Sequence, residues 1–175
     1  MQFDKHTDMH VILLRHASRN THDLGDPPLN VTGLAQAQAL VESLNTNARI
    51  PRPTQIISSP KKRARETLAP IAKSLEISVV IDDRLDERHQ NESQKVFEAR
   101  VHDLLASLDS RETSCILICS HFDWLETAFV SLTNLIDYGS ESSGISFDWA
   151  TAEYKVFEFH DGKWALGPAT KSAGV

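Results

Sequence analysis

Short apolar runs bounded by polar turns alternate along the chain with longer segments whose apolar residues recur at helical spacing. Val11-Ile12-Leu13-Leu14 reads as a buried strand, and so do Thr54-Gln55-Ile56-Ile57, Ile77-Ser78-Val79-Val80-Ile81 and Cys115-Ile116-Leu117-Ile118-Cys119. Between them, Leu34 to Leu44, Lys61 to about Leu75, Val96 to Leu108 and Trp124 to Leu132 carry apolar residues at intervals of three and four. Thr32, Ser59, Asn91 and Ser120 stand where helix caps are expected, Ser59 with Pro60 at the first helical position and Asn91 with Gln94 in capping-box spacing. After a polar stretch and Ile145-Ser146-Phe147, the segment Glu153 to Phe159 alternates. Asp161-Gly162 then turns it into Lys163-Trp164-Ala165-Leu166, a hairpin.

This order predicts an α/β fold: a three-layer sandwich with a mostly parallel central sheet, helices on both faces and an antiparallel C-terminal edge hairpin. At 175 residues, with no repeat and no linker, the expectation is a single domain over 1–175.

Composition narrows the classes. Hydrophobic residues are 41% and charged residues 24%, as in ordinary globular proteins. A net charge of −6 argues against general nucleic-acid or anionic-membrane binding, though Arg15, Lys61, Lys62, Arg63 and Arg65 could form a local basic pocket. No apolar stretch approaches the roughly 20 residues that span a bilayer, and the polar N-terminus has no leader-like core, so a cytoplasmic location is expected. The two cysteines, Cys115 and Cys119, fall on one side of a strand, too far apart for a relaxed disulfide, and read as buried thiols.

The polar residues that close these strands carry the chemistry. Arg15-His16-Ala17-Ser18 ends the first strand, Ser58-Ser59-Pro60-Lys61-Lys62-Arg63 the second, and Ser120-His121 the fourth. Ligands in an open α/β sheet bind beyond the carboxyl ends of its strands. Two histidines and two arginines thus gather at one edge, a set suited to a phosphoryl group: arginines grip its oxygens and a neutral imidazole attacks phosphorus. His16 is the expected nucleophile. Arg15 and Arg63 are the expected phosphate clamps. His121, at a helix start, could donate an N–H to a phosphoryl oxygen. Glu87, in Arg84-Leu85-Asp86-Glu87-Arg88-His89, could protonate a leaving oxygen. The cations opening the second helix oppose its dipole, a conflict that a bound anion would relieve.

These segments, in order over residues 11 to 125, resemble the histidine phosphatase superfamily, the phosphoglycerate-mutase-like fold. Arg15-His16-Ala17 stands where the family has R-H-G. Pro28-Leu29-Asn30-Val31-Thr32-Gly33-Leu34-Ala35-Gln36-Ala37 is similar to its P-L-T-x-x-G-x-x-Q-A run. Ser59 to Thr67 is similar to its S-P-x-x-R-A-x-x-T segment, Leu85 to His89 to the L-x-E-R-H of cofactor-dependent mutases, and Ser120-His121 to its S-H. Ala17, Ser18 and Phe122 depart from the pattern.

The resemblance implies phosphoryl binding by Arg15, Arg63 and His121, attack by His16 and proton donation by Glu87. Short stretches after Glu87 and between Asn134 and Ile145 imply a small cap and an open pocket, which favours hydrolysis over mutase chemistry. The expected enzyme is a phosphatase without cofactor or metal, active in the presence of chelators. Its substrate is a phosphorylated small molecule or a phosphoprotein, phosphomonoester or phosphohistidine, and inorganic phosphate is its product. A phosphomutase and a non-catalytic phosphate-binding module are the alternatives.

Overall fold

The structure, a computed structural model, describes residues 9–23, 25–48, 50–108, 114–133, 149–160 and 163–172. Its elements are β1 (Met9–Arg15), α1 (Val31–Thr46), β2 (Gln55–Ser58), α2 (Lys62–Leu75), β3 (Val79–Ile81), a 3-10 turn (Asp83–Leu85), α3 (Gln94–Ala106), β4 (Cys115–Ser120), α4 (Phe122–Thr133), β5 (Glu153–His160) and β6 (Lys163–Ser172).

The six strands form one sheet in the order β3-β2-β4-β1-β5-β6. β1 to β4 are mutually parallel, and β5 and β6 run antiparallel at one side, which is the expected α/β sandwich. Alternate residues of β1 point to opposite faces. Ile12 and Leu14 pack with Leu40 of α1 and Leu68 and Ile71 of α2. Val11 and Leu13 pack with Phe97 and Val101 of α3 and Trp124 and Phe129 of α4. Cys115 and Cys119 are buried and unbridged on the α1–α2 face, and burial pushes the Cys115 thiol up to about 12. No described helix is long and apolar enough to cross a membrane.

The helix starts differ from the sequence expectation. Asn30 caps α1 in place of Thr32, accepting from the Gly33 amide at 2.8 Å. Ser93 caps α3 in place of Asn91. α2 begins at Lys62, with Lys61 at its cap position and no side-chain cap bond from its own sequence. Ser120 stays in β4, and its hydroxyl donates to the Leu85 carbonyl at 2.7 Å.

β3 is shorter than the apolar run suggests. The Ile77 amide closes the end of α2 on the Ala72 carbonyl at 3.1 Å, so pairing starts only at Val79. The segment Ile145-Ser146-Phe147, the turn Asp161-Gly162 and the stretch 134–145 lie outside the described residues.

Candidate active site

Register brings the three motif-bearing strands to one level. Arg15 pairs with Ser120, and Ser58 pairs with both Cys119 and Ile81. The chain then continues the ladder by one bond on each side of β4: the His16 amide donates to the Ser120 carbonyl at 3.1 Å, and the Ser59 amide to the Cys119 carbonyl at 3.0 Å. His16, Ser59 and His121 therefore leave the sheet side by side. The rings of His16 and His121 lie 5.2 Å apart.

The tautomer of each histidine follows from its partner. His16 Nδ1 lies 2.8 Å from the Ala17 carbonyl, which can only accept, so Nδ1 carries the proton and Nε2 the lone pair. His121 Nδ1 lies 3.2 Å from Nη2 of Arg63, which can only donate, so Nδ1 accepts. Nε2 of His121 then holds the proton and donates to Ser59 Oγ at 2.7 Å. Burial, and after it a backbone hydrogen bond that opposes and arginine charges that reinforce, holds His16 down at about 4. Burial first, then the charge of Arg63, holds His121 at about 2. Both rings are neutral at physiological pH.

Arg63 sits at the start of α2, only 1% exposed. It donates from Nη2 to Glu87 Oε2 at 2.7 Å, while Nη1 lies 3.9 Å from Asp26. Its Nε is buried without a hydrogen-bond partner. Arg15 donates to the Trp149 carbonyl and lies over the Phe122 ring, 5.3 Å from its centroid. Phe122 thus shelves a guanidinium. The methyl of Ala17 belongs to the core cluster beside α1 and α2.

Five expected residues, Arg15, His16, Arg63, Glu87 and His121, are brought together, and Lys61 joins them by pairing with Asp86 at 3.3 Å and Glu87 at 3.9 Å. Lys62 and Arg65 do not join; both are exposed on α2. At this helix start the protein itself supplies a negative group: the Asp26 carboxylate accepts the Lys62 amide at 3.0 and 3.2 Å.

Four residues escape a reading of the sequence alone as site members. Ser59 orients His121. Thr67 Oγ1 accepts the Ala17 amide at 2.9 Å. Asp86, 8% exposed, is 3.8 Å from His121 Nε2 and 3.3 Å from His89. Arg19 stands three positions after the nucleophile and adds its charge at both histidines. Thr67 is the last letter of the Ser59–Thr67 motif and Asp86 neighbours Glu87; for Arg19 the sequence holds no signal.

The family model of the histidine phosphatase superfamily (branch 1) matches residues 11–96. Among solved structures, a mycobacterial glucosyl-3-phosphoglycerate phosphatase bound to inorganic phosphate is similar at a TM-score of 0.72 and 20% identity, covering 94% of this chain and 98% of its own. Phosphoserine phosphatase of Entamoeba histolytica, in complex with 3-phosphoglyceric acid, is similar at 0.73 and 18%, covering 94% and 97%. A structure described as mycobacterial hydrolase 1 is similar at 0.74 and 19%, covering 94% and 99%. At such identities the likeness is one of fold. No curated protein matches the sequence. With its motifs assembled at one sheet edge, a matching family model and a shared fold, the chain belongs to the histidine phosphatase superfamily.

Proposed function

We propose that the protein is a metal-independent phosphatase that works through a phosphohistidine on His16. One observation carries the reading: Nδ1 of His16 is tied to the Ala17 carbonyl, so a neutral ring keeps its lone pair on Nε2 among arginines. The buried, unpartnered Nε of Arg63 supports an oxyanion beside it.

Arg15, Arg63 and His121 hold the phosphoryl group. Nε2 of His16 bonds to phosphorus as the bond to the leaving oxygen breaks, and Glu87 gives that oxygen its proton. Glu87 then takes a proton from water, the water oxygen bonds to phosphorus, the N–P bond breaks, and inorganic phosphate leaves. Glu87 and the phosphoryl group compete for Arg63, so an arriving oxyanion frees the carboxyl for its proton-transfer role.

Hydrolysis is favoured over mutase chemistry because only the loop 88–93 separates Glu87 from α3, little cover with which to exclude water from an intermediate. The reading takes in both phosphomonoesters and phosphohistidine proteins as substrates.

The test is hydrolysis of an aryl phosphate by wild type and His16→Ala, both with chelator. Turnover by the wild type alone is the expected result. Equal turnover by the variant, or its abolition by chelator, would overturn the reading. A wild type inactive on aryl phosphate but active on a phosphohistidine protein would restrict the substrate to phosphoramidates.

A further inference from the structure

We infer that Arg100 is a positioning residue for the proton donor: reaching from α3, it fixes the backbone that carries Glu87. The inference rests on the proposed role of Glu87 as the acid of an ester phosphatase.

Glu87 lies between the 3-10 turn and α3, where the chain is neither helix nor strand, so no ladder of backbone bonds holds it. Its side chain is 43% exposed, so packing does not hold it either. Proton donation needs the carboxyl within hydrogen-bond reach of the leaving oxygen, and a misplacement of about 1 Å can cost about 10²-fold. In the proposed mechanism the phosphoryl group displaces Glu87 from Arg63. The carboxyl is then aimed chiefly by its own main chain.

Side chains supply the bonds that regular structure does not. Nη1 of Arg100 donates to the carbonyls of Arg84 at 2.8 Å and Asp86 at 2.9 Å, and Nη2 to the carbonyl of Glu87 at 3.4 Å. The remaining carbonyl of the stretch 84–87, that of Leu85, is taken by Ser120. The guanidinium is held in turn. Its Nε and Nη2 donate to the Glu92 carboxylate at 2.9 and 2.7 Å, and its Cζ lies 5.0 Å from the ring centroid of Phe97, a core residue. These bonds match the five N–H donors that a guanidinium has, with the carboxylate on one edge and the carbonyls on the other. A lysine ammonium is a single point with three donors and cannot span both. Phe97 and Val101 anchor α3 in the core around Arg100, so the acid's backbone takes its rigidity from that helix.

The experiment is steady-state kinetics on two esters, an alkyl phosphate and an aryl phosphate whose phenol leaves readily without protonation. The proteins are wild type, Arg100→Met, Arg100→Lys, Glu87→Gln and the double variant Glu87→Gln/Arg100→Met. For Arg100→Met, kcat/KM on the alkyl ester falls by about 10²-fold, carried mostly by kcat, and stays within about threefold of wild type on the aryl ester. Arg100→Lys recovers part of the loss. The double variant is no slower on the alkyl ester than Glu87→Gln, because a displaced acid and an absent one are equivalent. Glu92→Gln weakens the ion pair that aims Arg100 and gives the same pattern at smaller size, which decides the matter if Arg100→Met folds poorly. Equal losses on both esters, no loss on the alkyl ester, or a further loss in the double variant would overturn the inference while leaving the phosphatase reading standing. A wild type that hydrolyses neither ester, or Glu87→Gln without effect on the alkyl ester, would overturn the inference together with the acid role on which it rests.

Discussion

Thr67, one helical turn after Arg63, receives the amide of Ala17, the residue after His16, at 2.9 Å and donates its own proton to the Arg63 carbonyl at 2.6 Å. One buried hydroxyl thereby ties the loop of the nucleophile to the helix of the phosphate arginine. Thr67→Val keeps the shape and removes both bonds, leaving a buried amide unpaired. The expected cost is about 1–3 kcal/mol, with a fall in kcat/KM as His16 loses its register. Denaturant unfolding and aryl phosphate hydrolysis check the two parts. Wild-type stability in the variant would mean the Ala17 amide finds another partner.

Glu87 separates substrate classes. An alkyl ester needs its leaving oxygen protonated, so Glu87→Gln is expected to slow its hydrolysis by about 10²–10⁴-fold. Phosphohistidine has a better leaving group and is expected to lose far less. Equal losses on both substrates would remove Glu87 from the role of acid and leave it as a partner of Arg63.

Acid destabilises the fold through the site itself. His16 and His121 are held by burial at about 4 and about 2, against an ordinary value of 6.5, so the unfolded chain binds protons that the folded one refuses. Their contribution to stability is complete above pH 6.5. It is lost as pH falls, down to about 4 for His16 and onward to about 2 for His121. Asp82 and Glu92, lowered by hydrogen bonds from Arg84 and Arg100, act in the same direction at lower pH. Melting temperature is therefore expected to fall between pH 7 and pH 4, and to fall less steeply in His121→Asn. A wild-type curve flat across that range would contradict the burial of neutral imidazoles.

Gly33 is required by a close approach. A Cβ there would lie 2.0 Å from the Ser18 carbonyl oxygen, inside the connection that follows His16. Gly33→Ala is expected to cost about 3 kcal/mol or more and to lower activity by moving that connection. Thermal melts and kcat/KM measure it; a variant as stable and as active as wild type would show that the connection yields freely.

What could be read from the sequence follows a physical division. β1, β2 and β4 carry uninterrupted apolar runs because both faces of a parallel sheet are covered, and their polar ends are where the site lies. The caps were harder to read because their oxygens answer to distant partners. Ser59 serves His121 across 62 residues, Ser120 serves Leu85, and α2 is capped through space by Asp26. Local spacing cannot register such bonds. The same holds for Arg63: its position in the motif is visible, whereas its bond to Glu87 exists only after β3 and the following turn are in place.

The sheet order has a bearing on how the protein folds. β4, far along the chain, lies between β1 and β2, so the three site strands meet only through pairings that skip intervening elements of the chain. A chain that has collapsed without inserting β4 holds neither His121 nor the ladder that aligns His16 with Ser59. Affinity for phosphate therefore arises only once these long-range pairings of β4 have formed, which are the slow kind. Phosphate present during refolding would stabilise the finished state alone, so that ligand binding reports completion of the fold as well as competence of the site.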